Sequence, residues 1–458
     1  MDILLIAIFL GIFTLISNRR VVWGLYLIIF LLPTYLIRAK LGFIPFTFLE
    51  GMILILAAVW FFKKIKNKQL IKTLQVASCK LQVFRWPIIL FLVAAAISVF
   101  VSPNRLSALG DFRAFFVEPL IFFVIFLDLV RSEKEIHSHA KQSCSVGVKN
   151  IFYALGGCAI YISLFVIFQI FTDFLVPGNY LKEGRMTSFY GYPAGVGLFL
   201  APILAMFIGV IIGELKTQSA KRKAKTQNSK LNVIPSEEHI RQAQCGLRDE
   251  SRNLTSLFFS LAVVILSTLA LLATKTEGAY LGVLAAAFLI LMLTPWRKWI
   301  IFSTLLVSIV ILAIPASRHY VIQKITFSDV SGDVRLVLWQ GTWRAIIAHP
   351  IFGGGLSGFP DLYKQYKEKK HVELLKYPHN IIFNFWTETG ILGLISFFWL
   401  IFAFFRKISL SYKLQVTSYK LTLAAAMIAL LVYGLLDVPY FKNDLSVLFW
   451  VLIALSII

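Results

Sequence analysis

Cysteine is scarce in this chain: 458 residues contain four, Cys79, Cys144, Cys158 and Cys245, and no disulfide framework is implied by them. Acidic residues are scarce as well, 23 against 45 lysines and arginines, for a net charge of +22. No glycine-rich nucleotide loop of the Walker or dinucleotide type occurs; Gly353-Gly354-Gly355 reads as a break after Pro350, which speaks against coupling to ATP. No Asp-x-Asp motif accompanies Asp329 and Asp333, and His137-Ser138-His139 near Cys144 looks like a solvated loop, so neither a metal nor a cofactor is expected. Met1-Asp2 lacks a basic leader region and no small-residue cleavage site follows Ser17, so the first apolar run is expected to stay as an anchor helix.

What is abundant is apolar surface. The chain is 58% hydrophobic and 15% charged, with a mean hydropathy of +0.79. Apolar runs of roughly the length that spans a bilayer recur from 2–17 to 444–458, and predict an all-α polytopic membrane protein with about 12 to 13 transmembrane helices. Residues 1–150 are expected to form N-terminal membrane helices and 151–458 a second membrane domain, carrying one long helical extracytoplasmic loop at 317–378. The positive charge falls in alternate loops: Lys63 to Arg85, the polar stretch Lys216 to Asn253, Arg297-Lys298 and Arg406-Lys407 share one side, as cytoplasmic loops do. A basic rim of this kind accounts for the charge, so membrane lipids and not nucleic acid are the expected contacts. The stretch 216–253 reads as a flexible loop, and the echo between Thr73–Val83 and Tyr412–Leu421 as tolerated loop sequence.

The opposite face gathers the unusual residues. Ser331 is expected to cap a helix running to about His349, with Trp339, Trp343 and Ile346 lying on the membrane surface or over a cleft, and Phe359 to Leu375 to form a second, more polar helix. Pro378 then stops the chain from arriving as a helix, so a long apolar helix starts at or just after His379. Its only polar residues near the start, Asn380, Asn384 and Glu388, recur every four positions and share one face, which should point into the bundle.

These pieces together resemble the O-antigen ligase and O-antigen polymerase superfamily of bacterial membrane glycosyltransferases. The resemblance rests on Gly184-Arg185-Met186-Thr187-Ser188-Phe189, the Thr276-Glu277-Gly278-Ala279 hairpin, and Arg335 to Trp339 leading into His349-Pro350. It rests above all on His379-Asn380 followed by Glu388-Thr389-Gly390 and Gly393. It implies transfer of a glycan from an undecaprenyl diphosphate carrier onto a hydroxyl of a lipid, glycan or protein acceptor. The implied reaction is inverting and metal-independent, on the outer side of the bacterial cytoplasmic membrane. An acceptor hydroxyl gains from a base poised near neutrality, and a diphosphate from an arginine fork. On that chemistry and the motif match, His379 is the candidate general base and Arg185 the candidate diphosphate ligand. Asn380, Asn384 and Glu388 read first as interhelical hydrogen-bonding groups and otherwise as supporting residues of the site. Arg113 and Glu118 either pair with each other or line the cavity.

Two departures from the family pattern stand out. The hairpin usually presents Ser-Arg-Gly, where this chain has Thr276-Glu277-Gly278, and the asparagine that often follows the proline is Ala194. A carboxylate at Glu277 leaves a cation missing, for which Arg335 is the first choice and Lys275 or Arg344 the others. A different class remains open: a transporter or lipid flippase using Glu50, Glu118 and Glu388 as intramembrane charges, although no inverted repeat is visible.

Overall fold

The computed structural model describes residues 3–41, 44–68, 81–139, 146–228, 237–293, 297–368, 374–409 and 418–458. Most of the repeated segments at 73–83 and 412–421, with Cys79, Cys144 and the side chains of His137, His139 and Cys245, lie outside the described residues.

Apart from one antiparallel hairpin, Arg38–Leu41 against Ile44–Thr47, the described secondary structure is helical. Four helices are long and apolar enough to cross a membrane: Gly147–Thr172, Pro193–Leu215, Thr255–Thr274 and Ile381–Ile408. A fifth candidate is the pair Arg297–Ala313 and Pro315–Ala348, bent by 103° at its break. Shorter apolar helices, among them Arg85–Val101, Tyr419–Gly434 and Asn443–Ile457, accompany them. The chain is therefore a multi-pass membrane protein, but its dozen apolar runs are unequal. A 17-residue helix such as Arg85–Val101 reaches only about 25 Å, short of the roughly 30 Å hydrocarbon layer. The helices Pro193–Asn228 and Glu237–Thr274 continue into the polar stretch that the sequence suggested as a loop.

The chain divides into two compact units. One comprises Met1–Ile151, Phe288–Leu410 and Leu430–Ile458. Its core is the helix Asn443–Ile457, buried along almost its whole length, and an aromatic cluster in which Phe91, Phe116, Phe385, Tyr440 and Trp450 meet at ring distances of 4.9–6.2 Å. The other comprises Phe152–Ala287 and Ser411–Ala429, built on the packing of Pro193–Asn228 against Glu237–Thr274.

In the first unit the helix expected from Ser331 to about His349 runs Val330–Ala348 and is preceded by Asp329, not Ser331. The Asp329 carboxylate does not cap it; a 2.7 Å contact with Lys324 Nζ takes it instead. The second helix is shorter than expected, Phe359–Tyr366. The third begins where the sequence placed it, at Ile381, and runs to Ser409, but it is broken at Gly390, with φ 68° and ψ −175°. Here the loop 349–358 enters. Thr387 O accepts from Gly354 N at 2.7 Å and Ile391 N donates to Ile351 O at 3.1 Å. In an unbroken helix those two groups would bond to each other; the loop takes up both halves of the opened bond. Contact is too close for side chains: a Cβ on Gly353 would strike the Trp386 and Thr387 carbonyls, and one on Gly390 the Ile351 carbonyl.

Gly390→Ala should therefore destabilise this unit by about 1–3 kcal/mol from backbone strain alone, and more from the collision. Gly11→Ala, in a helix with nothing within 4 Å of the new methyl, should be neutral or slightly stabilising. Thermal unfolding of the purified variants in detergent checks this; equal midpoints would contradict the role given to Gly390.

Candidate active site

In the first unit, four contacts fix the start of the broken helix. Trp339 Nε1 donates to Pro378 O at 2.9 Å, anchoring the incoming chain to the Val330–Ala348 helix. His379 adopts a left-handed backbone, φ 48°. Asn380 then caps the helix: its Oδ1 accepts from Ile382 N at 2.9 Å and Phe383 N at 3.2 Å, and its Nδ2 donates to Leu435 O at 3.0 Å. That geometry turns the His379 ring toward Asp437, Nδ1 to Oδ1 3.2 Å. The histidine side chain is 37% exposed and the aspartate 14%. Burial alone would raise the Asp437 carboxyl; the hydrogen bond and charge of His379, the Lys442 charge and the Val438 N–H outweigh it and hold the pKa below the usual value. A carboxylate on Nδ1 selects the tautomer that leaves the Nε2 lone pair available to a substrate.

Asp437 is the partner that sequence reading missed. It stands between two apolar runs, but 58 residues separate it from His379 and no spacing rule links them.

All three polar residues of the helix face are buried, as their spacing required. Their roles differ. Glu388 accepts from Ser357 N at 2.5 Å and Phe359 N at 3.3 Å, so its carboxylate closes the glycine loop and caps the Phe359–Tyr366 helix. The Ser357 hydroxyl in turn binds the Asp111 carboxylate and receives Ser107 Oγ at 3.0 Å. Burial pushes the Asp111 carboxyl up, against the lowering effect of Ser357 and Lys376. Asn384 is fully buried, and among the described residues neither polar atom of its side chain finds a partner.

Arg113 and Glu118 pair at 3.2 Å, and Glu50 joins them at 2.8 Å from Arg113. Glu50 also accepts from Thr47 N at 2.9 Å and Asn443 Nδ2 at 2.7 Å. Arg344 spends its charge on Glu368 at 2.7 Å and on Tyr366 O at 3.1 Å. Arg335 sits half-buried on the Val330–Ala348 helix.

In the second unit, the two motifs expected to bind phosphate lie side by side. Arg185 Nε donates to Thr274 O at 3.1 Å, Met186 N to Ala273 O at 3.1 Å, and Lys275 Nζ to Glu183 O at 2.8 Å. The Arg185 guanidinium also meets the Glu183 carboxylate at 3.1 Å and lies 5.9 Å from the centre of the Tyr180 ring. Lys275 is thus the candidate cation that shares the Arg185 cluster, while Arg335 and Arg344 belong to the first unit. Glu277 stands in the first turn of the helix Glu277–Met292, where the helix dipole favours a carboxylate.

Comparison with known proteins bears out the resemblance. Residues 262–398 match the family model described as O-Antigen ligase, a stretch that holds Lys275, Glu277, Arg335, Arg344, His379, Asn380, Asn384 and Glu388. A protein of Rickettsia conorii that is provisionally named a polysaccharide ligase is 26% identical over 185 residues, 37% of this chain. The match spans 44% of that relative's length.

The ties of Glu388 make a prediction about the loop. Glu388→Ala leaves the Ser357 and Phe359 amides without acceptors, at roughly 1–3 kcal/mol for each buried group. Glu388→Gln keeps one acceptor oxygen and should lose less. Limited proteolysis should open the chain near 357–368 faster in the alanine variant than in the glutamine variant; identical digestion of both and of wild type would show that the carboxylate does not hold the loop.

Proposed function

We propose that this chain is a membrane glycosyltransferase that joins or polymerises glycan, using an undecaprenyl-diphosphate-linked donor and an acceptor hydroxyl at the outer face of the bacterial cytoplasmic membrane. The observation that carries the reading is the His379–Asp437 pair at 3.2 Å at the head of a membrane helix, with the histidine partly exposed; His379 lies within the matched segment and Asp437 beyond it. In the reaction, His379 Nε2 takes the proton as the acceptor oxygen attacks the anomeric carbon. The bond from that carbon to the diphosphate oxygen breaks on the opposite face, which inverts the centre. The lipid diphosphate leaves as an anion and needs charge stabilisation, not a proton. Arg185 meets the diphosphate with its fork, and Lys275, anchored beside it on Glu183 O, takes the place of the missing hairpin arginine. Asp437 holds the imidazole in the productive tautomer.

The helix length supports the level at which this happens. Arg406 and Lys407 end the broken helix, and counting back about 20 residues, the number that spans the hydrocarbon layer, reaches Trp386, whose indole suits the interface. His379 then stands about 10 Å beyond that level. Reporter fusions after Lys225 and Lys413 should read cytoplasmic and those near Lys182 and Gly355 extracytoplasmic; an inner Gly355 would end the mechanism.

The transporter reading loses its charges. Glu50 and Glu118 are tied to Arg113, and Glu388 to the glycine loop, each in a structural role.

Two sets of variants test the chemistry. His379→Ala should lower glycan transfer by roughly 10²- to 10⁴-fold in protein that still folds, and Asp437→Asn should lower it by a smaller factor because the base survives in the wrong orientation. Transfer near the wild-type rate in purified His379→Ala would overturn the assignment. For the donor, Arg185→Ala and Lys275→Ala should both impair transfer, with Arg344→Ala mild. If Arg335→Ala is severe while Lys275→Ala is silent, the missing cation comes from Arg335 instead.

A further inference from the structure

Arg185 lies in a segment with no regular structure to hold it. Gly184, Ser188 and Gly191 all have left-handed backbones, φ 61°, 50° and 72°, and Thr187 and Ser188 are buried. Peptide groups in such a turn cannot bond to a helix or sheet ladder, and buried amides left unpaired are costly. Arg185 N and Met186 N find the Tyr180 and Ala273 carbonyls; for Thr187 and Ser188 one side chain answers. Gln169, fully buried near the end of the helix Val146–Thr172, accepts on Oε1 from Thr187 N at 3.2 Å and Ser188 N at 2.7 Å. Its Nε2 donates to Ser188 O at 3.4 Å and Phe174 O at 3.0 Å. The amide orientation follows from the partners: two N–H groups face the oxygen and two carbonyls face the nitrogen, and the flipped amide would oppose like with like at all four. Gln169 therefore behaves as an extra peptide group inserted into the turn, and ties the loop that follows Arg185 to the membrane helix before it.

We infer that Gln169 is a positioning residue for the donor site: its amide fixes the 187–188 turn, and through it the direction of the Arg185 guanidinium. The inference rests on the donor-ligand reading of Arg185 for its functional consequence, but not for its geometry. Every group in the argument belongs to the same compact unit.

The test uses the full chain purified in detergent, with phenylglyoxal as the arginine probe and peptide mass spectrometry reading modification at Arg185. Glycan transfer is followed in parallel against the concentration of lipid-diphosphate-linked donor. Gln169→Leu keeps the volume and removes all four hydrogen bonds; modification at Arg185 should change by about tenfold, and the donor KM should rise more than kcat falls. Gln169→Glu supplies a reference within one folded protein. As a neutral acid it can still accept and donate, whereas the ionised form has no donor for the Ser188 and Phe174 carbonyls. Its Arg185 modification, divided by that of wild type at the same pH, should stay near one at low pH and depart from one as pH rises. Unchanged modification in Gln169→Leu, or a pH-independent ratio in Gln169→Glu, overturns the positioning role. If modification changes as expected while transfer by both variants stays at the wild-type level, Gln169 positions Arg185 as inferred, and it is the donor-binding role of Arg185 that fails.

Discussion

A peptide group inside a membrane protein has no water to fall back on, so an irregular segment at membrane depth survives only where other protein groups complete its hydrogen bonds. The break at Gly390 meets that constraint for two segments at once. Opening the helix frees the Thr387 carbonyl and the Ile391 amide, and the loop 349–358, itself without a ladder, supplies Gly354 N and Ile351 O to them. Each irregularity satisfies the other. The first turns of the broken helix, which follow His379 and Asn380, are thereby fastened to the loop 349–358, and the carboxylate of Glu388 closes the arrangement by binding Ser357 N and Phe359 N. A glycine-rich loop that read as a mere stop after Pro350 is the counterpart of a kink that hydropathy could not show.

Local signals in the chain were legible, and distant partners were not. Pro378 placed the helix start at or just after His379, close to the observed Ile381, and the spacing of Asn380, Asn384 and Glu388 announced a buried face. Both follow from short-range rules. The pairing of Arg113 with Glu118, five residues apart, was also within reach, but the entry of Glu50 was not, because 63 residues and a separate helix lie between. Asp437 and Gln169 share that difficulty: each is an ordinary polar residue at the end of an apolar run, and only the folded chain brings it to His379 or to Ser188. The helix after Phe359 was read too long because its continuation Lys367-Glu368-Lys369-Lys370-His371 is charged and polar, a pattern that helix and loop share. Gly390 was passed over because a glycine within an apolar run is tolerated in many helices.

Buried carboxylates decide between catalysis and transport here. An acid that moves ions must be able to lose its partner during the cycle, whereas one that braces a fold must keep it. Glu50 is engaged by Thr47 N, Arg113 and Asn443 together, and losing any one would leave an uncompensated charge among apolar helices. Glu388 is committed to two backbone amides that have no other acceptor. Such carboxylates stabilise one conformation, which suits a rigid support for a half-exposed histidine better than an alternating carrier.

At the donor side the commitments are weaker, and in the proposed reaction that is what makes them useful. Arg185 gives Nε to the Thr274 carbonyl, which fixes the plane of its guanidinium, and turns its NH1 edge to Glu183 at 3.1 Å. Glu183 is 54% exposed, and a pair this open to solvent contributes only about 0–1 kcal/mol. A lipid diphosphate carries more charge, offers several oxygens in the fork's geometry, and would displace the carboxylate at little cost. The bond that orients the arginine is to a backbone carbonyl and survives the exchange; the bond that is given up is to a side chain that can swing into water. Lys275 is held by its Nζ on the Glu183 carbonyl, a neutral partner that leaves the lysine charge in place. With Glu183 displaced, the loop presents a fork and a point charge, a combination that compensates a diphosphate better than the fork alone and accounts for a hairpin that carries Glu277 where the family usually has arginine.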